Sequence, residues 1–187
     1  HNLDLLITNS GNKISFRVKN ISSKYYTNAD DILYELGWHM DYMSCLIFSD
    51  TLIKNCNFAK YRNTSLIQFG IIFDYLSKQN NILVYWNSDK VIIPPRGFYY
   101  LNENNDSTNG GWRKQAFEIS CKSWATVIKG FPDCYTQKAK NQAMMGHGYK
   151  TGLFSVKGLI KLSLEGIFTY QVLLKYREYI SKTIPYS

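Results

Sequence analysis

Phe168-Thr-Tyr170-Gln-Val172-Leu-Leu174-Lys-Tyr176 is the stretch on which the fold class turns. Phe168, Tyr170, Val172, Leu174 and Tyr176 alternate with Thr169, Gln171, Leu173 and Lys175, and that period of two is how a half-buried strand reads. Leu and Lys are also good helix formers, so the same residues admit a helix. The rest of the chain tips the reading toward strand. Fifteen Tyr and ten Phe in 187 residues suit the pleated face of a sheet.

Outward from this stretch, Leu153–Leu164 reads as the strand before it, reversed at Glu165-Gly166. Trp112–Val127, Ile82–Trp86, Phe58–Tyr75 (bent near Gly70), Tyr42–Ile53 and Ile14–Lys19 read as further strands. Val91-Ile-Ile93 meets Pro94-Pro95, which belongs at an edge or in a loop because proline lacks the ladder donor. Asn102–Gly111, all Asn, Asp, Glu, Ser, Thr and Gly, is the clearest loop. Helix is expected only at Asp31–Leu36, capped by Asn28 or Asp30, and at Thr136–Met145. No repeat of 20–50 residues is present. The expectation is one all-β domain over residues 1–187, a β-sandwich or jelly roll of some eight antiparallel strands with long loops.

Composition bounds the function. Hydrophobic residues make up 45%, enough for a sizeable core, so wholesale disorder is excluded. No apolar run approaches the roughly 18 residues of a membrane span. The first residues carry no charged and apolar leader pattern, so no signal peptide is expected. The net charge is +8 and it is uneven. Residues 1–123 hold thirteen basic and eleven acidic side chains, whereas residues 124–187 hold nine basic and three acidic. Between Asp133 and Glu165 no acid interrupts Lys138, Lys140, Lys150, Lys157 and Lys161. A field of one sign attracts phosphate polyanions or anionic lipid, although a solvated basic face without a partner has the same composition.

Catalytic signatures are sparse. No HExxH, GxSxG, P-loop or GxGxxG occurs. Cys45, Cys56, Cys121 and Cys134 have no zinc spacing, and free buried thiols are favoured over two disulfides. The sequons at Asn20, Asn63 and Asn105 carry little weight among sixteen Asn. His1, His39 and His147 are the three histidines. An N-terminal His1 would offer an α-amine and an imidazole to Cu(II), with His39 or His147 as the second ligand. That arrangement is similar to the histidine brace of lytic polysaccharide monooxygenases, and implies a secreted copper oxidoreductase as the alternative function. Gly146-His147-Gly148 would let backbone approach a ligand, yet a loop histidine without a role explains it equally. Trp86, Tyr99, Tyr100 and Trp112 bracket the Pro-Pro and Asn-rich segments. They are candidate interface, sugar or base-stacking residues, and open a third reading as a β-sandwich lectin or membrane-binding toxin.

Three segments in order resemble the single jelly-roll coat proteins of circovirus-like, circular Rep-encoding single-stranded DNA viruses. They are Ile14-Ser-Phe-Arg-Val-Lys19; Phe58-Ala-Lys-Tyr61-Arg62 followed by Leu66, Phe69 and Phe73; and Tyr170-Gln-Val-Leu-Leu-Lys-Tyr176-Arg177-Glu178-Tyr179, with Pro185 beyond. The resemblance implies a non-enzymatic virion protein of the viral jelly-roll type, needing no cofactor or metal. Many copies would form a T=1 icosahedral capsid around single-stranded DNA, with a host-cell surface receptor as a further partner. Its phosphate contacts would fall on Arg17, Lys19, Lys60, Arg62, Lys138, Lys140, Lys150, Lys157 and Lys161, and its subunit interface on Trp86, Tyr99, Tyr100 and Trp112. Arg177 and Glu178 would be ion-pair residues. That family carries an Arg-rich N-terminal arm, whereas residues 1–13 here hold only Lys13.

Overall fold

A computed structural model describes residues 2–11, 16–41, 43–92, 115, 117–150 and 154–183. Among these are eight α-helices and one four-stranded sheet of order β2-β4-β1-β3. The expected all-β jelly roll is therefore corrected to a mixed α/β architecture.

The centre of the sheet is β1 (Leu5–Ser10), which the sequence reading did not identify as a strand. It runs parallel to β4 (Val84–Ile92) and antiparallel to β3 (Leu46–Phe48), while β2 (Lys24–Tyr26) closes the other edge antiparallel to β4. Leu5 pairs with Val84 and Ile7 with Trp86. The parallel pairing explains why β1 is buried on both faces instead of alternating.

Between β1 and β4 the chain forms α1 (Ala29–Leu36), α2 (Asp50–Asn55), α3 (Phe58–Tyr61) and α4 (Ile67–Leu76). Small polar residues set their starts. Asn28 accepts from Asp30 N before α1, Ser49 accepts from Leu52 N before α2, and Asn57 accepts from Lys60 N before α3. The expected long strand at Phe58–Tyr75 is thus two helices. Its apolar positions also satisfy helical spacing, and every residue of α4 from Gln68 to Leu76 is buried. Gly70 owes its place to a close approach: a Cβ there would overlap the ring of Tyr61.

A π-helical turn, Glu118–Ser123, leads into α5 (Trp124–Lys129), where a strand was expected. Trp124 stacks on Phe69 at 4.4 Å, and Phe73, Phe131 and Tyr135 continue the aromatic layer. Burying each such ring contributes about 2–3 kcal/mol. The next helix, α6 (Gln137–Lys150), is longer than the helix expected there. Ala139, Ala143 and Gly146 form a small-residue stripe on it at helical spacing. A Cβ on Gly37 would lie 3.1 Å from the Ala143 Cβ, and one on Gly146 would lie 3.0 Å from the Trp38 Cβ. Gly146 is small because Trp38 packs on it.

The last two expected strands are also helices. Ser155 accepts from Gly158 N and starts α7 (Val156–Leu164); α8 (Tyr170–Thr183) follows a turn in which Gly166 has φ +70°. Phe117, Cys121, Phe154, Leu162 and Tyr176 build a second core here, and Tyr179 touches both cores. Of the three segments that carry the coat-protein resemblance, the second lies on α3 and α4 and the third on α8. In the first, residues 14 and 15 lie outside the described residues, and Phe16–Lys19 is not a strand. The expected Pro-Pro edge and Asn-rich loop also lie outside them.

Candidate functional site

Thr8, Asn9 and Ser10 are polar yet buried at the carboxyl end of β1. The cause is a break in register. Thr8 pairs with Asn87 but Asn9 pairs with Val91, so Ser88–Lys90 bulge out of β4. The Asn9 side chain fills that break. Its Oδ1 accepts from Val18 N at 3.1 Å and from Ser10 N at 2.9 Å, and its Nδ2 donates to Val18 O at 2.8 Å.

His39 sits beside this lock, fully buried, in a 3-10 turn (Gly37–His39) that continues α1. Its Nε2 lies 2.9 Å from the Thr8 carbonyl oxygen. A carbonyl only accepts, so Nε2 carries the proton and Nδ1 is bare. Nδ1 has no hydrogen-bond partner. Trp38 and Trp86 present their rings edge-on to the imidazole at 5.7 and 5.6 Å. Burial first, and then the Arg17 charge, push the imidazole down to about 4. Arg17 binds Asp41 at 2.8 Å and lies over the Trp38 ring. Cys45 donates toward Asn9 O, and burial pushes its thiol up to about 11. A neutral imidazole and a neutral thiol are the opposite of an activated thiolate–imidazolium pair. This cluster closes the sheet end.

The expected site residues divide accordingly. Trp86 is not an exposed anchor: its ring is fully buried and its Nε1 donates to Ile21 O at 2.9 Å. Tyr99, Tyr100, Trp112 and His1 lie outside the described residues, as do the side chains of His147 and Lys150. His39 spends Nε2 on Thr8, and no cluster of three metal-ligating residues occurs among the described residues. All four cysteines are free.

Three of the nine phosphate-contact candidates have internal partners. Arg17 pairs with Asp41, Lys60 with Asp74 at 2.7 Å, and Lys140 is buried with Nζ on Phe131 O at 2.7 Å. Lys78 also reaches Asp74; burial would raise that carboxyl, but the two ammoniums hold it below the usual carboxylate range. Lys19, Arg62, Lys138, Lys157 and Lys161 are exposed without an ion-pair partner among the described residues, although Lys138 lies over the Tyr34 ring. Lys129 and Arg177 face outward as well.

The sequence reading missed one surface altogether. On α7, Leu162 is 4% exposed and faces the second core, whereas Val156, Ile160 and Leu164 are 62%, 57% and 85% exposed. These three recur every four residues and share one face. Lys157 and Lys161 form the adjacent row, also four apart and exposed. Helix α8 repeats the theme: Val172 and Tyr176 turn inward, while Tyr170, Leu174 and Arg177 face out. The available signal was Ser155 as a cap ahead of two interleaved i, i+4 rows.

A second apolar surface is a groove of about 380 Å³ beside edge strand β3, lined by Met43, Phe48, Ile53, Phe58, Ile67 and Ile71. Comparison with known families, curated proteins and solved structures finds no match to this chain.

Proposed function

We propose that this protein is a binding protein for a phosphate-rich polyanion, engaged through the outward lysines and arginine of its C-terminal half. The observation that carries the reading is the division of the cations. In the first half Arg17, Lys24, Lys60 and Lys78 are spent on Asp41, Glu35 and Asp74, which leaves Lys19, Lys54 and Arg62 exposed without an ion-pair partner among the described residues. In the second half Lys175 reaches Glu118 and Lys140 is buried, while Lys129, Lys138, Lys157, Lys161 and Arg177 face solvent without an ion-pair partner among the described residues. These five lie in a stretch of nine basic and three acidic side chains, against thirteen and eleven in residues 1–123. Uncompensated exposed cations hold phosphates through counterion release, with little dependence on base sequence. The coat and lectin readings were each tied to a β-sandwich, and the copper reading rests on His1; none is carried forward.

The test is fluorescence anisotropy of a labelled oligothymidylate across a salt series, with two variants of equal charge change. K157E/K161E should weaken binding and flatten its salt dependence by about two phosphates. K54E/R62E, reversing two exposed cations of the first half, should change it far less. Equal losses in the two variants, or no binding at low salt, overturn the reading.

A further inference from the structure

We infer that the partner of this cationic half is the face of an anionic lipid bilayer, with α7 lying along it. The inference rests on the polyanion reading and adds a feature that phosphates alone do not explain. Lysines suffice to hold a phosphate backbone, but Val156, Ile160 and Leu164 gain nothing from it. They line the face of α7 that points away from Leu159 and Leu162, the residues packed on the second core. Leu164 is more exposed than any other large hydrophobic residue described.

An apolar row beside a lysine row on one outward helix face fits the boundary between acyl chains and headgroups. The aliphatic side chains enter the boundary while the ammoniums meet lipid phosphates. Charge selects the leaflet. Between Asp133 and Glu165 no acid occurs, and of the five lysines there Lys138, Lys157 and Lys161 are exposed, complementary to phosphatidylserine or phosphatidylglycerol and indifferent to a zwitterionic surface. The neighbouring helix carries exposed residues of matching chemistry. Tyr170 opens α8 directly after the turn that follows Leu164; it is exposed, as are Leu174 and Arg177 beyond it. Tyrosine and arginine suit the headgroup level. No helix among the described residues is long and apolar enough to cross a membrane, so the contact is one that lies on the surface.

A second copy covering the same row is the competing occupant, and the test separates it. The full chain is sedimented with vesicles of phosphatidylcholine alone and of phosphatidylcholine with phosphatidylserine, with oligothymidylate anisotropy measured on each variant. Binding is expected only to the anionic vesicles. I160S/L164S, both at exposed positions, should keep the circular dichroism and oligothymidylate affinity of the native protein and lose about tenfold or more in vesicle partitioning. K157Q/K161Q should lower partitioning about thirtyfold. Native vesicle binding by I160S/L164S would overturn the inference while leaving the polyanion reading standing. So would a native protein that sediments as a dimer and becomes monomeric in I160S/L164S. Loss of all binding, to vesicles and oligonucleotide alike, in the native protein removes both.

Discussion

The imidazole of His39 donates from Nε2 to the Thr8 carbonyl at 2.9 Å, and this bond joins the end of α1 to the carboxyl end of the central strand. A proton added at Nδ1 would find no acceptor and would sit near Arg17, so the folded state keeps the ring neutral.

Acid should therefore unfold the protein partly through this residue. The folded pKa is about 4 and the ordinary one 6.5. Between those values the unfolded chain binds a proton that the folded chain refuses, so stability falls as pH drops from 6.5 to 4 and is unaffected by His39 above that window. The contribution is about 3 kcal/mol. Urea unfolding at pH 7.5 and 4 should show the native chain losing about that much more than His39→Gln. Parallel losses in the two proteins exclude the mechanism.

Asn9 should be costly to remove although its side chain is a single neutral amide. Its amide satisfies both the N–H and the carbonyl of Val18, and Asn9→Ala leaves these two groups buried and unpaired. A loss of about 2–4 kcal/mol is expected. A denaturation midpoint within experimental scatter of the native value would show that water reaches the gap.

Gly70→Ala should destabilise although alanine favours helices. The added methyl overlaps the Tyr61 ring, and overpacking of this kind costs about 1–3 kcal/mol. The cost should vanish in a Tyr61→Ala background. A double-mutant cycle measures that coupling, and additive effects would contradict it.

The thiols should react in order of exposure. Cys134 is exposed and Cys56 half-buried, whereas Cys45 and Cys121 are fully buried. A thiol reagent without reductant should label Cys134 first, Cys56 next, and the other two only after unfolding, giving four in all. Native labelling of Cys45, or fewer than four thiols in denaturant, is the contrary result.

Some elements are legible because a local chemical signal coincides with the final structure. Asn28 ahead of Asp30-Asp31 marks α1, and the structure adds that Asp30 also accepts from Thr136 at the start of α6. Ile82–Trp86 overlaps the start of β4 at Val84–Trp86, and Thr136–Met145 falls at α6, each with an error in length. The candidate surface was only half legible. The charge of Lys157 and Lys161 is read directly, but the apolar row beside them is invisible once the segment is taken as a strand, because a period of two puts Val156, Ile160 and Leu164 among the inward residues. Leu5–Ser10 escaped notice because a strand buried on both faces does not alternate.

Local signals in the sequence were enough for the charge asymmetry, the start of α1, the existence of a helix at Thr136–Met145 and part of one sheet strand. Phe168–Tyr176 takes its state from long-range packing, with Tyr170 onward in α8. Its apolar residues satisfy a period of two and, extended to Tyr179, a helical row of Val172, Tyr176 and Tyr179. What selects the helix lies elsewhere in the chain. Phe117 stacks on Phe168 at 5.3 Å and on Tyr176 at 6.4 Å, and Glu118 accepts the Tyr176 hydroxyl at 2.5 Å. Those partners are some 50–60 residues away, and local periodicity carries no information about them.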